Sequence, residues 1–349
     1  MFKPERVTQM RIGVYGAGSI GCYVGGCLAA AGVDVVLVGR ARVLTSISSH
    51  GLRLTDYLGR DVLAQAQHLS LSESPEALAD VDLVLLTMKS AGTADAASTL
   101  AGLLPRHVPV VSFQNGVRNV PVLREQLPNH AVLAGMVPFN VIDRGEGRFH
   151  QGSEGQLDIE VGPLPAGAEA AFASAGLPLL RSADMQAVQW GKLLMNLNNS
   201  VNALSGLPLK EELSLRGYRR VLALAIAEAL GVLRKAGVPV AKVTAVPPRL
   251  LPWVLSIPDW LFALAARKIL AIDPLARSSM WEDLQLGRRT EIDWINGEVV
   301  RLALRNGLHA PVNAALITLI RQAEEGGGQR WLPADLLAHV KQRRLKLPG

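Results

Sequence analysis

A chain of 349 residues, 49 % of them hydrophobic, is longer than one ordinary core accommodates and too apolar for general disorder, so two domains are expected. The formal net charge of +6 suits anionic small molecules; apart from "KQRRLK" near the C-terminus, read as a solvated tail, the positive charge is too scattered for a nucleic-acid face. Two cysteines, Cys22 and Cys27, fall on different faces of one expected helix, and seven histidines lack ligand spacing, so neither a disulfide framework nor a metal site is expected; with no apolar leader the expected compartment is the reducing cytoplasm.

The strongest local pattern comes first. "RIGVY" (11 to 15) reads as a buried strand, "GAGSIG" as a glycine turn, "SIGCYVGGCLAAAG" as a helix ending at Gly32, and "VDVVLVGR" as the next strand. In such a strand–turn–helix–strand unit Gly16 permits the tight turn. Gly18 lets a pyrophosphate approach the backbone, and Gly21 lets helix and strand pack closely. The whole turn (Gly16, Ala17, Gly18, Ser19, Ile20 and Gly21) is therefore a candidate dinucleotide cradle, with the pyrophosphate on the helix N-terminus. NAD-preferring sites usually place an acid at the end of the second strand. Here the strand ends in Gly39 and Arg40, and Asp34 lies at its start, the wrong edge of the sheet. Arg40 suits a 2′-phosphate, so NADPH is the expected cofactor.

Residues 51 to 70 alternate loosely around a turn, as a β excursion would. "DLVLLTMKS" (82 to 90) and "VPVVSFQNGV" (108 to 117) are further buried strands, ending in Lys89 and Asn115. Both fall beyond the carboxyl ends of the strands, where open α/β sheets bind ligands. "AVLAGMVPFN" continues the sheet, and the glycine-rich stretch 144 to 162 reads as antiparallel hairpins. A short helix over 165 to 176 and a strand "LPLLRSADM" follow. The pattern then becomes helical. We expect an α/β protein: a doubly wound Rossmann domain over 10–183, an all-helical substrate domain over 184–325, and a tail with a short helix over 326–349.

In the helical part, "WGKLLMNLNNSVNAL" (190 to 204) combines a leucine stripe with one ammonium and four amides, although asparagine is a poor helix former and lysine is seldom fully buried without a partner. At 100° per residue Lys192, Asn196 and Asn199 share a narrow arc, flanked by Ser200 and Asn202. The 217–237 helix is apolar, and its Glu228 reads as structural. The stretch 250 to 266 is too short and too interrupted by Pro252, Pro258 and Asp259 for a membrane span. Both are candidate faces for a homodimer. Residues 277 to 300 keep helical periodicity while carrying Ser279 and Glu291, and "EEGGGQR" (324 to 330) reads as a joint before the last helix.

On "GAGSIG", "TMKS", "FQNGV", "WGKLLMN" and "SSMWEDLQLGRRTEIDWINGEVV", in this order over residues 10 to 325, the chain resembles the ketopantoate reductase (2-dehydropantoate 2-reductase) family. The resemblance implies a Rossmann domain, a helical domain and a cleft between them, with NADPH reducing a 2-oxo acid. It implies Lys192 as general acid and Glu291 as its catalytic companion, accepting a substrate hydroxyl or counterbalancing Lys192. Asn196 and Ser279 are implied at the substrate, with either Asn199 or Ser200 as candidate for a second substrate position beside them, and Lys89 and Asn115 on the cofactor side. Two departures touch the substrate's identity: Ser200 stands where a second substrate asparagine is expected, and 245 to 270 is longer and more apolar than a compact member needs. Two alternatives remain open, a different 2-oxo acid and an NADPH-binding paralogue without turnover.

Overall fold

The computed structural model describes residues 10–64, 68–265, 276–327 and 330–345. Its contacts divide the chain into two compact units, one of Met1–Gln114 with Asn119–Met185 and one of Asn115–Arg118 with Gln186–Gly349.

The first unit runs β1 (Arg11–Tyr15), α1 (Ser19–Ala30), β2 (Asp34–Val38), α2 (Ala41–His50), β3 (Leu52–Asp56), β4 (Asp61–Ala64), β5 (Leu69–Ser72), β6 (Leu83–Leu86), α3 (Thr93–Leu103), β7 (Val110–Ser112), α4 (Asn119–Gln126), β8 (Val132–Met136), β9 (Val141–Asp143), β10 (Arg148–Gln151), β11 (Leu157–Glu160), α5 (Ala168–Ser174) and β12 (Leu179–Ser182). Its main sheet has the order β12-β11-β8-β7-β6-β1-β2-β5, parallel except where β11 meets β8. Strands β6 and β7 are buried at every residue, which is why they read as apolar runs, broken only by Ser112, rather than as alternating ones.

The β excursion forms a hairpin of β3 and β4, which joins β10 and β9 in a second sheet of four strands. The stretch 144 to 162 is therefore only partly the set of antiparallel hairpins expected. β10 pairs with β9 in that way but runs parallel to β3, and β11 leaves for the main sheet. Helix α1 packs against strands of both sheets. Gly21 through Ala29 are all buried, as a helix covered on both sides requires. Cys22 and Cys27 are buried thiols in it, both pushed up by desolvation.

The second unit holds α6 (Met185–Asn196), α7 (Asn198–Ser205), α8 (Leu209–Ser214), α9 (Arg216–Lys235), α10 (Leu251–Ser256), α11 (Asp259–Ala265), α12 (Ser279–Gln285), α13 (Asn296–Arg305), α14 (Pro311–Gln322) and α15 (Pro333–Leu345). Its core gathers Leu193, Leu197, Val201 and Leu204 with Ile226, Val232, Leu316 and Ile320. The leucine stripe of 190 to 204 is thus the packed face, but the helix is divided at Leu197 into α6 and α7. Residues 277 to 300 likewise form two helices, α12 and α13, with a turn and a short 3-10 segment (Ile292–Trp294) between them.

One buried charge and one half-buried charge tie this unit together. Arg219, fully buried in α9, donates to the carbonyls of Leu213, Ser214, Leu255 and Ile257 and pairs with Asp259 at 2.8 Å. Each donor so used offsets the desolvation of the guanidinium, and the apolar stretch from 250 is clipped to α9 as α10 and α11. Residues 266–270 of that stretch lie outside the described residues. Glu228 is structural, as read. Its carboxylate accepts from Val312 N (3.0 Å) and from Asn313 N (2.9 Å) and Nδ2 (2.8 Å), and so caps α14. Among the described residues no helix is long and apolar enough to cross a membrane.

Candidate functional site

In the first unit the glycine turn is built from backbone. Gly16 and Ala17 both donate to Val38 O at 2.9 Å, which seats the turn on the end of β2. Gly16 has φ +118°, and a Cβ there would collide with the backbone of Met88. A Cβ on Gly21 would collide with Gly16 O and Thr87 Oγ1, so α1 leaves the turn in close contact with it. Gly18 differs from both: a Cβ there would meet nothing within 4 Å, and its φ of −94° is open to any residue. Nothing in the described chain accounts for a glycine at 18, whereas a ligand lying against the backbone would. The exposed position over the N-terminus of a twelve-residue helix fits a pyrophosphate.

Arg40 follows directly, exposed at the start of α2, after a Gly39 that packs too tightly on Ala17 to carry a side chain. Lys89 is exposed beyond β6. The loop it occupies is fixed from below by polar residues that the sequence reading missed. Gln114 donates to Met88 O (3.1 Å) and to Thr93 Oγ1 (2.8 Å), while Asn119 accepts from Thr93 (2.9 Å) and donates to Ser90 Oγ (3.1 Å). The available signal was a glutamine and a serine in an otherwise apolar strand end.

In the second unit the constellation centres on Asn115. Its carbonyl accepts from Asn196 Nδ2 at 3.3 Å, and its own amide donates to Glu291 Oε2 at 3.4 Å. One amide thus joins three residues lying far apart in sequence. Lys192 precedes Asn196 by one turn of α6. It is half-buried, and desolvation lowers its ammonium from 10.5 to about 8. Asn199 is half-buried and Ser279, the first residue of α12, is exposed.

Ser200 differs from expectation. It is fully buried and its hydroxyl donates to Leu197 O at 3.0 Å within the helix, so its donor is spent on the backbone. Asn202 is also fully buried. Its carbonyl accepts from Ser278 N at 2.9 Å, and its amide donates to Leu207 O at 3.0 Å. The loop that presents Glu291 is pinned by Glu324. That carboxylate accepts from Thr290 N (2.8 Å), Thr290 Oγ1 (2.7 Å) and Arg289 Nη1 (2.7 Å). Desolvation would raise its pKa, but these donors outweigh it and hold the carboxyl below its usual value.

A glycine-turn sheet is followed by a helical unit with a lysine–asparagine helix, and the relatives that share this two-part arrangement are oxidoreductases acting on CH–OH groups. Residues 12–165 match the family described as Ketopantoate reductase PanE/ApbA, and residues 184–324 match Ketopantoate reductase PanE/ApbA C terminal. The chain belongs to the ketopantoate reductase PanE/ApbA family. It is similar to a 2-dehydropantoate 2-reductase of Halobacterium salinarum, 30 % identical over 91 % of this chain and 100 % of that one. Among solved structures, a PanE/ApbA family ketopantoate reductase from Ralstonia eutropha JMP134 is 32 % identical with a TM-score of 0.77, covering 92 % of this chain and 100 % of that one. A D-mandelate dehydrogenase holding NADH and anilino(oxo)acetate shares the fold, with a TM-score of 0.73 at 21 % identity over 92 % of this chain and 100 % of that one.

Proposed function

We propose that this chain is an NADPH-dependent 2-dehydropantoate 2-reductase, forming pantoate from ketopantoate in the cytoplasmic route to pantothenate and coenzyme A. The observation that carries the reading is Lys192, an ammonium drawn down to about 8, one helical turn from an asparagine that is linked through Asn115 to Glu291. A reduced nicotinamide held on the glycine turn would supply the hydride for the 2-oxo carbon. The chain's own residues do the rest. Lys192 Nζ stabilises the negative charge growing on the carbonyl oxygen and donates the proton that makes it a hydroxyl; solvent then reprotonates the amine. Asn196, Asn199 and Ser279 orient the oxo acid without adding charge. Glu291 accepts a hydrogen bond from a substrate hydroxyl. With its donor spent on the helix backbone, Ser200 contributes packing rather than recognition. Gly16 through Gly21 would hold the pyrophosphate, with Lys89 and Asn115 as further cofactor-side residues.

Arg40 sets the cofactor preference in this reading by pairing with the 2′-phosphate. Arg40→Ala should raise the KM for NADPH about tenfold or more and leave the KM for NADH within about twofold, because only NADPH loses a charge-assisted contact. Equal effects on both cofactors would remove Arg40 from that role. A homodimer belongs to the same reading, since Trp253 and Trp260 are 67 % and 71 % exposed on α10 and α11. The mass in solution by sedimentation checks it.

The direct test follows NADPH oxidation with ketopantoate and with a panel of plain 2-oxo acids. Fast turnover on ketopantoate alone is the expected result. Turnover confined to another 2-oxo acid would move the substrate, for which the buried Ser200 and the apolar stretch from 245 are the specific grounds. NADPH binding without turnover on any oxo acid would leave a cofactor-binding paralogue.

A further inference from the structure

Glu212, which no part of the sequence pattern singles out, is fully buried at the end of a chain of hydrogen bonds leading to the substrate residues. Its Oε2 accepts from Asn198 Nδ2 at 3.0 Å and from Asn202 Nδ2 at 3.4 Å, two side chains on α7. Asn202 uses its carbonyl to accept from Ser278 N at 2.9 Å. Ser278 in turn donates from its hydroxyl to Asn199 O at 3.2 Å and accepts from Trp281 N at 3.2 Å, capping α12. The chain of contacts therefore reaches the backbone carbonyl of Asn199, one of the residues proposed to touch substrate, and the amide and hydroxyl of Ser278, the residue just before Ser279, the other.

These contacts also divide the row of amides. Asn196 and Asn199 are half-buried, whereas Asn198 and Asn202 are buried and bound to Glu212. A carboxyl group in a dry interior is costly to keep unless it does something that an apolar residue of similar size cannot. Here it holds two amides in one orientation, and through one of them sets where α12 begins relative to α7. The geometry points to Glu212 as a positioning residue for the oxo-acid site, acting through Asn202 and Ser278 on Asn199 and Ser279. It does not touch substrate or cofactor. The inference rests on the reading of Asn199 and Ser279 as substrate residues given above.

The experiment compares wild type, Glu212→Ala, Glu212→Gln and Ser278→Ala in steady-state kinetics, with NADPH affinity measured separately by fluorescence titration. Glu212→Ala should raise the KM for the oxo acid about tenfold, with NADPH affinity within about twofold of wild type, since only the oxo-acid residues lose their register. Glu212→Gln should restore most of the loss, because its amide oxygen still accepts from both asparagines. Ser278→Ala, which keeps the peptide contact to Asn202 but loses the hydroxyl between α7 and α12, should raise the same KM by a smaller factor. It serves as the decisive variant if Glu212→Ala does not fold. An unchanged oxo-acid KM in a folded Glu212→Ala, or in Ser278→Ala where the former does not fold, overturns the inference. So does an equal loss of NADPH affinity, which would mark a general loosening of the fold. Wild-type protein that reduces no 2-oxo acid overturns the proposed function and this inference with it; wild-type turnover with insensitive variants overturns this inference alone.

Discussion

Replacing Lys192 by methionine should lower kcat by about 10²–10⁴-fold, the range that a positioned proton donor contributes, while NADPH affinity stays close to wild type. Methionine keeps most of the side chain's length and apolar stem, so the effect reports the ammonium rather than a cavity. The pH profile gives a second check. Lys192 carries its proton below about pH 8, so kcat/KM limited by it should fall as pH rises through about 8. The stability sign runs the other way. The folded state lowers this group from 10.5 to about 8, and the unfolded chain binds the extra proton between those values. Wild-type stability, measured against Lys192→Met, should therefore rise with pH from about 8 to 10.5, and at pH 7 the variant should melt no lower than wild type. A variant that melts at or above wild type and has lost turnover would show that the desolvation opposes folding and serves the reaction. Near-normal turnover in Lys192→Met would end its assignment as the acid.

The glycine turn yields the other large effect, as a contrast between neighbours. Gly18→Ala places its methyl in open space at an ordinary φ, so its melting temperature should match wild type, while NADPH affinity should fall by about 100-fold as the methyl keeps the pyrophosphate from the backbone. Gly16→Ala sets a side chain at φ +118° against the backbone of Met88, so it should lose several kcal/mol of stability before any cofactor is added. Thermal melts with and without NADPH, together with a binding titration, separate the two. Equal affinity of Gly18→Ala and wild type for NADPH would mean that the open space over residue 18 is not where the pyrophosphate lies.

Much of the first unit was legible because its determinants are local. Buried parallel strands announce themselves as apolar runs, and a glycine triplet has few other uses between a strand and a helix. What escaped notice depended on tertiary partners. Nothing in "NNSVNAL" shows that Asn199 stays half-exposed while Asn198 and Asn202 turn inward, since the difference is made by Glu212 and Ser278, ten to eighty residues away. The break at Leu197 leaves no mark in a periodicity that continues through it. Ser278 stands beside Ser279 in the sequence, and a serine just before an apolar helical run is an ordinary cap, so its role at the start of α12 is legible locally, whereas its contacts to Asn199 and Asn202 are not. Glu212, an acid near the start of a short helix after Pro208, looks like a surface residue favoured by the helix dipole.

The carboxylate of Glu228 also bears on the order in which the second unit assembles. Helix α14 begins after Ala310, which has no side-chain acceptor, and the amides of its first turn are satisfied by a residue more than eighty positions earlier. A twelve-residue segment with a borrowed cap is a poor autonomous nucleus. It gains that cap only when α9 is already formed and in place, so its contacts should form after the folding transition state rather than before it. Helix α9, twenty residues long with Arg234 and Lys235 in its last turn, is the natural template for α14.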